Sequence, residues 1–266
     1  MVFEVSKGKN KLFLAGTIHV LRDEDLPPPE EFAVAYSQAQ KMIFETDLNK
    51  AKSPEFAQRL MQSMVLPNNQ SLSDILQPKH WAALQAYAEQ NQFPLEQVEK
   101  INPVMISLLI TMGELKKINV GDGVDAFYYK AAKTDRKMIG ELETSEDVIE
   151  AFRAFAEEDP NKLIENSLTE VTELKSILAV TIDEWKRGNL AALDKSLGEK
   201  MRQETPKGYA AMVVVRNKKW LPQIKEMLTT PEIEMVLVGS LHLSGKDGLI
   251  ASLKKAGYQV KPYEPK

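Results

Sequence analysis

The chain has 266 residues, enough to bury a substantial core in one large domain or two modest lobes. Its 34 lysines and arginines against 38 aspartates and glutamates give a formal charge of −4, which argues against a nucleic-acid binder with a broad cationic face. It contains no cysteine, so disulfide frameworks, thiolate zinc sites, iron–sulfur clusters and cysteine nucleophiles are excluded, and 43% hydrophobic residues argue against wholesale disorder.

The opening, MVFEVSKGKNKLFLAG, has no basic stretch followed by a long apolar run and reads as the start of a folded domain. A cytoplasmic protein, or an exported one that has lost a leader, both fit. Residues 11–16 (KLFLAG) form a strand ending at Gly16, and TIHVLRDEDLPPP is a loop. EEFAVAYSQAQ has helical spacing, and KMIFETDL at 41–48 is a second strand. Strand, helix and strand together fit a right-handed parallel crossover.

The middle of the chain is largely helical. PEFAQRLMQSMV, PKHWAALQAYAEQ and INPVMISLLITMGELKK carry apolar residues three and four apart, with proline near each start. The segment 101–118 is apolar nearly all round and is expected under other helices. Its most apolar stretch, 104–113, is well short of the roughly 20 residues a membrane span needs. GDGVDAF is a turn into a helix, KMIGELE at 137–143 a third strand, and helices follow over 144–157, 161–187 and 189–202. AAMVVV at 210–215 is ambiguous between strand and helix; helix is favoured on both sides of Pro222, with a break or kink there. EMVLVG at 234–239 is a buried strand, followed by loop, helix and a final strand. The expected fold class is α/β, with α+β as the alternative: a mixed central sheet flanked by helices, with a largely helical middle region.

Only three histidines are present, His19, His80 and His242. His19 and His242 share a setting, FLAGTIH and VLVGSLH: an apolar strand ending in glycine, then histidine three residues on. Strand carboxyl ends are where α/β sheets place ligands, and glycine admits close backbone approach. Two imidazoles and a carboxylate suit a divalent metal, although each histidine could equally serve a loop hydrogen bond. His80, on a helix, is read as structural. Glu45 and Asp47 in IFETDL, and Glu141 and Glu143 in IGELET, are two carboxylate pairs that strand alternation would aim to one side. Surface exposure explains such pairs as simply. Glu143 or Asp147 could also serve a helix start, as could Asp125 in GDGVDAF, while Arg216 could grip a carboxylate or oxyanion or lie at the surface. No P-loop, dinucleotide-binding, HExxH or GxSxG motif occurs.

LFLAGTIHVL, the glutamate of MIFETDL, GVDAFYYKAAKTDRKMIGELET, the Arg216–Asn217 pair and VLVGSLHLSGKDGLIASLKKAGYQV together resemble the TraB/GumN family, related to pheromone-shutdown proteins and to the Tiki metalloproteases. These pieces follow the family's order along nearly the whole chain. The resemblance implies a single domain over 1–266 with a helical insertion at about 50–120, and a site drawing on both G-x-x-H motifs. His19 and His242 match the motif histidines, Glu45 the acid after the second strand, Glu143 the acid of the leucine–glutamate–threonine segment, and Arg216 the motif arginine. Val215 departs from the pattern, because many relatives carry an acid there.

The function this implies is a metal-dependent hydrolase, most readily a peptidase. His19, Glu45 and His242 would hold Mn²⁺, Co²⁺ or Zn²⁺, Glu143 would exchange protons and Arg216 would face the oxyanion, with the two glutamates' roles interchangeable. A non-catalytic protein that captures a peptide or signalling ligand is the alternative, and a metal-dependent esterase a closer rival. The expected partner is a peptide substrate or ligand; nucleic acid and an integral membrane segment are not expected.

Overall fold

The most apolar runs, at 12–17, 42–44 and 234–239, become strands buried on both faces. The computed structural model describes residues 1–265, and among these two sheets form. The strands are β1 (Val2–Lys7), β2 (Asn10–Thr17), β3 (Val20–Arg22), β4 (Lys41–Phe44), β5 (Val120–Asp122), β6 (Met138–Glu141), β7 (Glu234–Gly239) and β8 (Gln259–Pro262). The main sheet runs β6-β4-β7-β2-β1-β8, and β3 pairs with β5 in a small antiparallel ribbon. β6, β4, β7 and β2 are mutually parallel, whereas β1 is antiparallel to both β2 and β8, so the sheet is mixed.

The expected crossover between β2 and β4 is present in spirit but not as a pair. β7 lies between them, parallel to both, with Phe13 opposite Met235 and Phe44 opposite Leu237. The most apolar strand takes the middle position, where neither face meets water. β1 was not read from the sequence as a strand. It forms a hairpin with β2 through Gly8, whose φ of +65° suits the first position of a tight type II′ turn.

Alternate residues of the strands feed two cores. Phe13, Ala15, Met42, Phe44, Met235 and Leu237 face one side, against Phe32, Tyr128 and Trp185 from three helices. Leu12, Leu14, Ile43, Val236 and Val238 face the other, against Trp220, Ile224, Leu249 and Leu253. The helix Pro160–Lys186 is anchored where the Trp185 indole N–H donates to the Gly16 carbonyl at 2.7 Å, both buried. Between β4 and β6 the chain is mostly helical, and the helix Pro103–Lys117 packs on Pro160–Lys186. Only part of it meets the expectation of full cover: Val104, Met105, Ile106 and Ile110 are buried, while Met112 is 58% exposed. AAMVVV is helical. It forms a π-helical stretch, Ala210–Val215, running directly into the helix Arg216–Met227, which passes through Pro222 without ending.

No helix among the described residues is long and apolar enough to cross a membrane.

Candidate active site at the carboxyl ends of the parallel strands

The parallel strands β2, β4, β6 and β7 deliver their following residues to one edge of the sheet. β2 leads to His19, β4 to Glu45, β6 to Glu143 and β7 to His242. The two G-x-x-H glycines have separate jobs. A methyl on Gly16 would stand 3.0 Å from Leu243 Cδ1 and from Ser240 Oγ, so glycine there lets the turn carrying His242 pack against β2. A methyl on Gly239 would stand 3.1 Å from His19 Nε2 and 3.4 Å from Glu45 Oε1. Glycine there keeps the site open, because both side-chain atoms approach the same piece of backbone.

Both imidazoles are held by their Nδ1 atoms. His19 Nδ1 is 2.8 Å from Asp125 Oδ2, and Asp125 also accepts from Thr17 Oγ1 at 2.9 Å. His242 Nδ1 is 2.8 Å from Asn217 Oδ1; the Asn217 amide NH₂ donates to the carbonyls of His242 and Asp247 at 3.0 Å, which turns its oxygen to the ring. Each ring therefore donates a proton from Nδ1, and His242 turns its Nε2 toward Glu45. His242 Nε2 lies 3.8 Å from Glu45 Oε1.

Arg216 binds the remaining elements together. Its guanidinium donates to Glu45 Oε2 at 2.6 Å, to both oxygens of Glu143, and through Nη1 to His242 Nε2 at 3.1 Å. Trp220 lies beneath it, with the guanidinium carbon 4.6 Å from the ring centroid and the indole N–H donating to Glu143 Oε2 at 3.1 Å. The His242 ring lies 4.4 Å from the same indole, centroid to centroid.

These neighbours divide the charges. The Asp125 carboxylate raises the His19 imidazole to about 9, against the opposing effect of desolvation, although the side chain itself is 61% exposed. Burial instead pushes His242 down to about 3, so it is neutral. Burial would push the Glu45 carboxyl up, but Arg216, both histidines and the Gly239 N–H outweigh it and hold Glu45 well below the usual carboxylate range. Glu143 is raised by burial despite Arg216 and Trp220.

Two expectations from strand alternation are corrected. β4 and β6 end at Phe44 and Glu141, so Glu45 and Asp47 do not face one side, and neither do Glu141 and Glu143. The carboxylates re-sort instead: Glu45 joins Glu143 on Arg216, while Asp47 and Glu141 lie together at the rim. Asp47 caps the short helix Leu48–Ala51 and accepts from Tyr129 Oη at 3.0 Å; its own N–H donates to Glu141 at 3.0 Å. Asp125 is at a helix start as read, yet its side chain is spent on His19 and Thr17 rather than on a cap. Asp147 closes a capping box with Thr144 and pairs with Lys219, and His80 bonds Asn161 within the helical region. Asn217 and Trp220 were not singled out as site residues, although Asn217 lay within the Arg216–Asn217 pair.

A cavity of about 300 Å³ opens beside the histidine–carboxylate cluster, with His19, Glu45 and Asp125 on one wall. Arg216, Glu143 and His242 stand behind that wall. A larger cavity of about 670 Å³ around Trp81 and Phe93 shares none of these residues, so chemistry rather than volume selects the smaller one.

The donor set suits a borderline divalent ion in kind: two imidazoles with Nδ1 pinned to oxygen acceptors, as in metal-ligating histidines, and a carboxylate. In the observed arrangement Arg216 already holds two of the three donors, and no three His, Asp or Glu side chains among the described residues stand ready to coordinate an ion.

A mixed α/β sheet with a histidine–carboxylate–arginine cluster at its strand ends defines the class of protein. The sequence profile of the TraB/PrgY/gumN family matches residues 1–262, essentially the whole chain, and the chain belongs to that family. The chain matches no curated protein and no solved structure.

Proposed function

We propose that the chain is a hydrolase of peptide bonds that works with a divalent metal held by His19, Glu45 and His242. One observation carries the reading: both histidines have Nδ1 fixed by an oxygen acceptor and lie close to one carboxylate, Glu45, which lines a cavity together with His19. A bound divalent ion would supply water activation and carbonyl polarisation. The chain's own residues do the rest. Asp125 and Asn217 orient the imidazoles, and Arg216 holds a permanent positive charge beside Glu45 for the developing oxyanion. Glu45 lines the cavity and Glu143 does not, so Glu45, ionised, is the carboxylate that would hold an ion there. Glu143, with both oxygens taken by Arg216 and one also by Trp220, is the positioning residue of the arginine.

Incubating the protein with a peptide library and Mn²⁺, Co²⁺ or Zn²⁺, with mass-spectrometric detection of products, tests this. Cleavage should require metal, stop with chelator and disappear in His19→Ala. The donation from Arg216 to His242 Nε2 favours a second reading, in which the same cleft hydrolyses without metal and His19, neutral only above about pH 9, takes the proton from water with Asp125 behind it. Turnover that survives chelation but not His19→Ala would select it. Saturable peptide binding with no cleavage under any of these metals would replace both with ligand capture.

A further inference from the structure

The cavity beside His19 carries more information than its position. Away from the cluster its wall is Phe44, Leu48, Ala51 and Ala126, and the two alanines are what leave the space open. At about 300 Å³ it lies at the lower end of the range for small-molecule pockets, roughly 300–1,000 Å³, and so suits one side chain rather than a whole ligand.

Its electrostatics narrow the occupant. Three carboxylates border it, and each is already committed. Glu45 is held by Arg216 and the Gly239 N–H, Asp125 by His19 and Thr17, and Asp122 by Lys52 across the rim at 2.5 Å. The Lys52 charge is answered by the same pair. A cationic or anionic side chain entering here would find no free counter-charge and would lose its water uncompensated. Thr46 Oγ1 is the one buried polar atom of the wall without a partner among the described residues, so the demand for hydrogen bonds is small.

We propose that this cavity is the subsite for a compact, uncharged, apolar side chain of the substrate, of leucine or methionine size. It would place the adjoining amide beside His19 and Glu45. The inference rests on the reading of the site as a peptide site, and it deepens that reading by naming the residue class selected.

The test has a binding arm and a cleavage arm. In the first, N-acetyl-leucine amide, N-acetyl-lysine amide and N-acetyl-aspartate amide are titrated into ¹⁵N-labelled protein and followed by NMR. The leucine probe should shift amides in 44–52 and 124–126, and should bind at least about tenfold more tightly than either charged probe. Ala126→Phe, which fills the cavity, should weaken the leucine probe by about tenfold or more. Ala51→Leu, on a different helix, should do the same and guards against a folding defect in the first variant. Equal binding of charged probes, no binding of the leucine probe, or indifference to both substitutions in folded protein overturns the subsite. In the second arm, cleaved library peptides are sorted by the residue next to the scissile bond. Leucine-probe binding without turnover under any metal keeps the subsite and removes the hydrolase. Turnover with no apolar preference keeps the hydrolase and removes the subsite.

Discussion

Asp125 shows how a residue's role can hide behind its position. In the sequence it stands at a helix start, where an acid needs no further explanation, yet its two oxygens hold His19 and Thr17. No local pattern announces a partner 106 residues away. If His19 holds a divalent ion as proposed, Asp125→Ala should leave the fold intact and lower affinity for that ion by about 10- to 100-fold, measured by calorimetry against wild type. Gly239 makes the complementary case, since glycine before histidine was legible and its reason was not. Its backbone, at φ −52° and ψ 137°, is open to any residue, so Gly239→Ala should melt like wild type. The new methyl would crowd His19 Nε2 and Glu45 Oε1, and metal affinity should fall about tenfold or more. An unchanged affinity would show that the two side chains do not both approach Gly239 in solution.

Among the elements, the buried strands were the most legible, because continuous apolar runs leave few alternatives. EMVLVG became β7 residue for residue. The carboxylate pairs failed for a related reason: alternation holds only while a strand lasts, and both strands stop before the second acid of each pair. AAMVVV was ambiguous because its valines suit a strand, while its neighbours on both sides are helical and carry it into a π stretch. Polar ties between elements were not legible at all. Asp25, in the turn after β3, is buried, and both Arg22 and Lys186 of the long helix pair with it. Burial pushes its carboxyl up, but these two cations outweigh it and hold it below the usual range. A carboxyl depressed by folding adds stability that is complete above its unfolded value and is lost as pH falls through the folded one. Asp25→Asn should therefore cost about 2 kcal/mol at pH 7, less than a fully buried pair because both cations are more than a third exposed. The gap from wild type in urea unfolding should shrink below about pH 4. A gap independent of pH would assign the loss to packing.

At the scale of the whole molecule, Arg216 joins the chain's distant parts. Its partners Glu45, Glu143 and His242 follow β4, β6 and β7, so one guanidinium spans three parallel strands at their carboxyl ends. The family resemblance made Arg216 and its possible partners visible, but not that they are partners of one another. Arg216→Met would leave two carboxylates unpaired and should destabilise the protein by about 3 kcal/mol at pH 7 in denaturant unfolding. Adding Glu143→Gln should restore part of that loss, as expected for groups in direct contact. Strictly additive losses would mean that the pair does not act as a unit. Trp185→Phe tests the other long-range tie: removing the indole N–H strands the buried Gly16 carbonyl and should cost about 1–2 kcal/mol.

The central position of β7 also sets an order in time. β2 leaves the ribosome long before its parallel neighbour at 234–239, which cannot reach it until everything between them has been made. Pairings of such long sequence separation are slow to close and leave strand edges exposed meanwhile. His19 therefore remains without His242 while the residues between them are made, and the nascent chain must shelter the unpaired edges of β2 and β4 until β7 arrives. Until β7 arrives, the cleft lacks the strand that carries one of its two imidazoles.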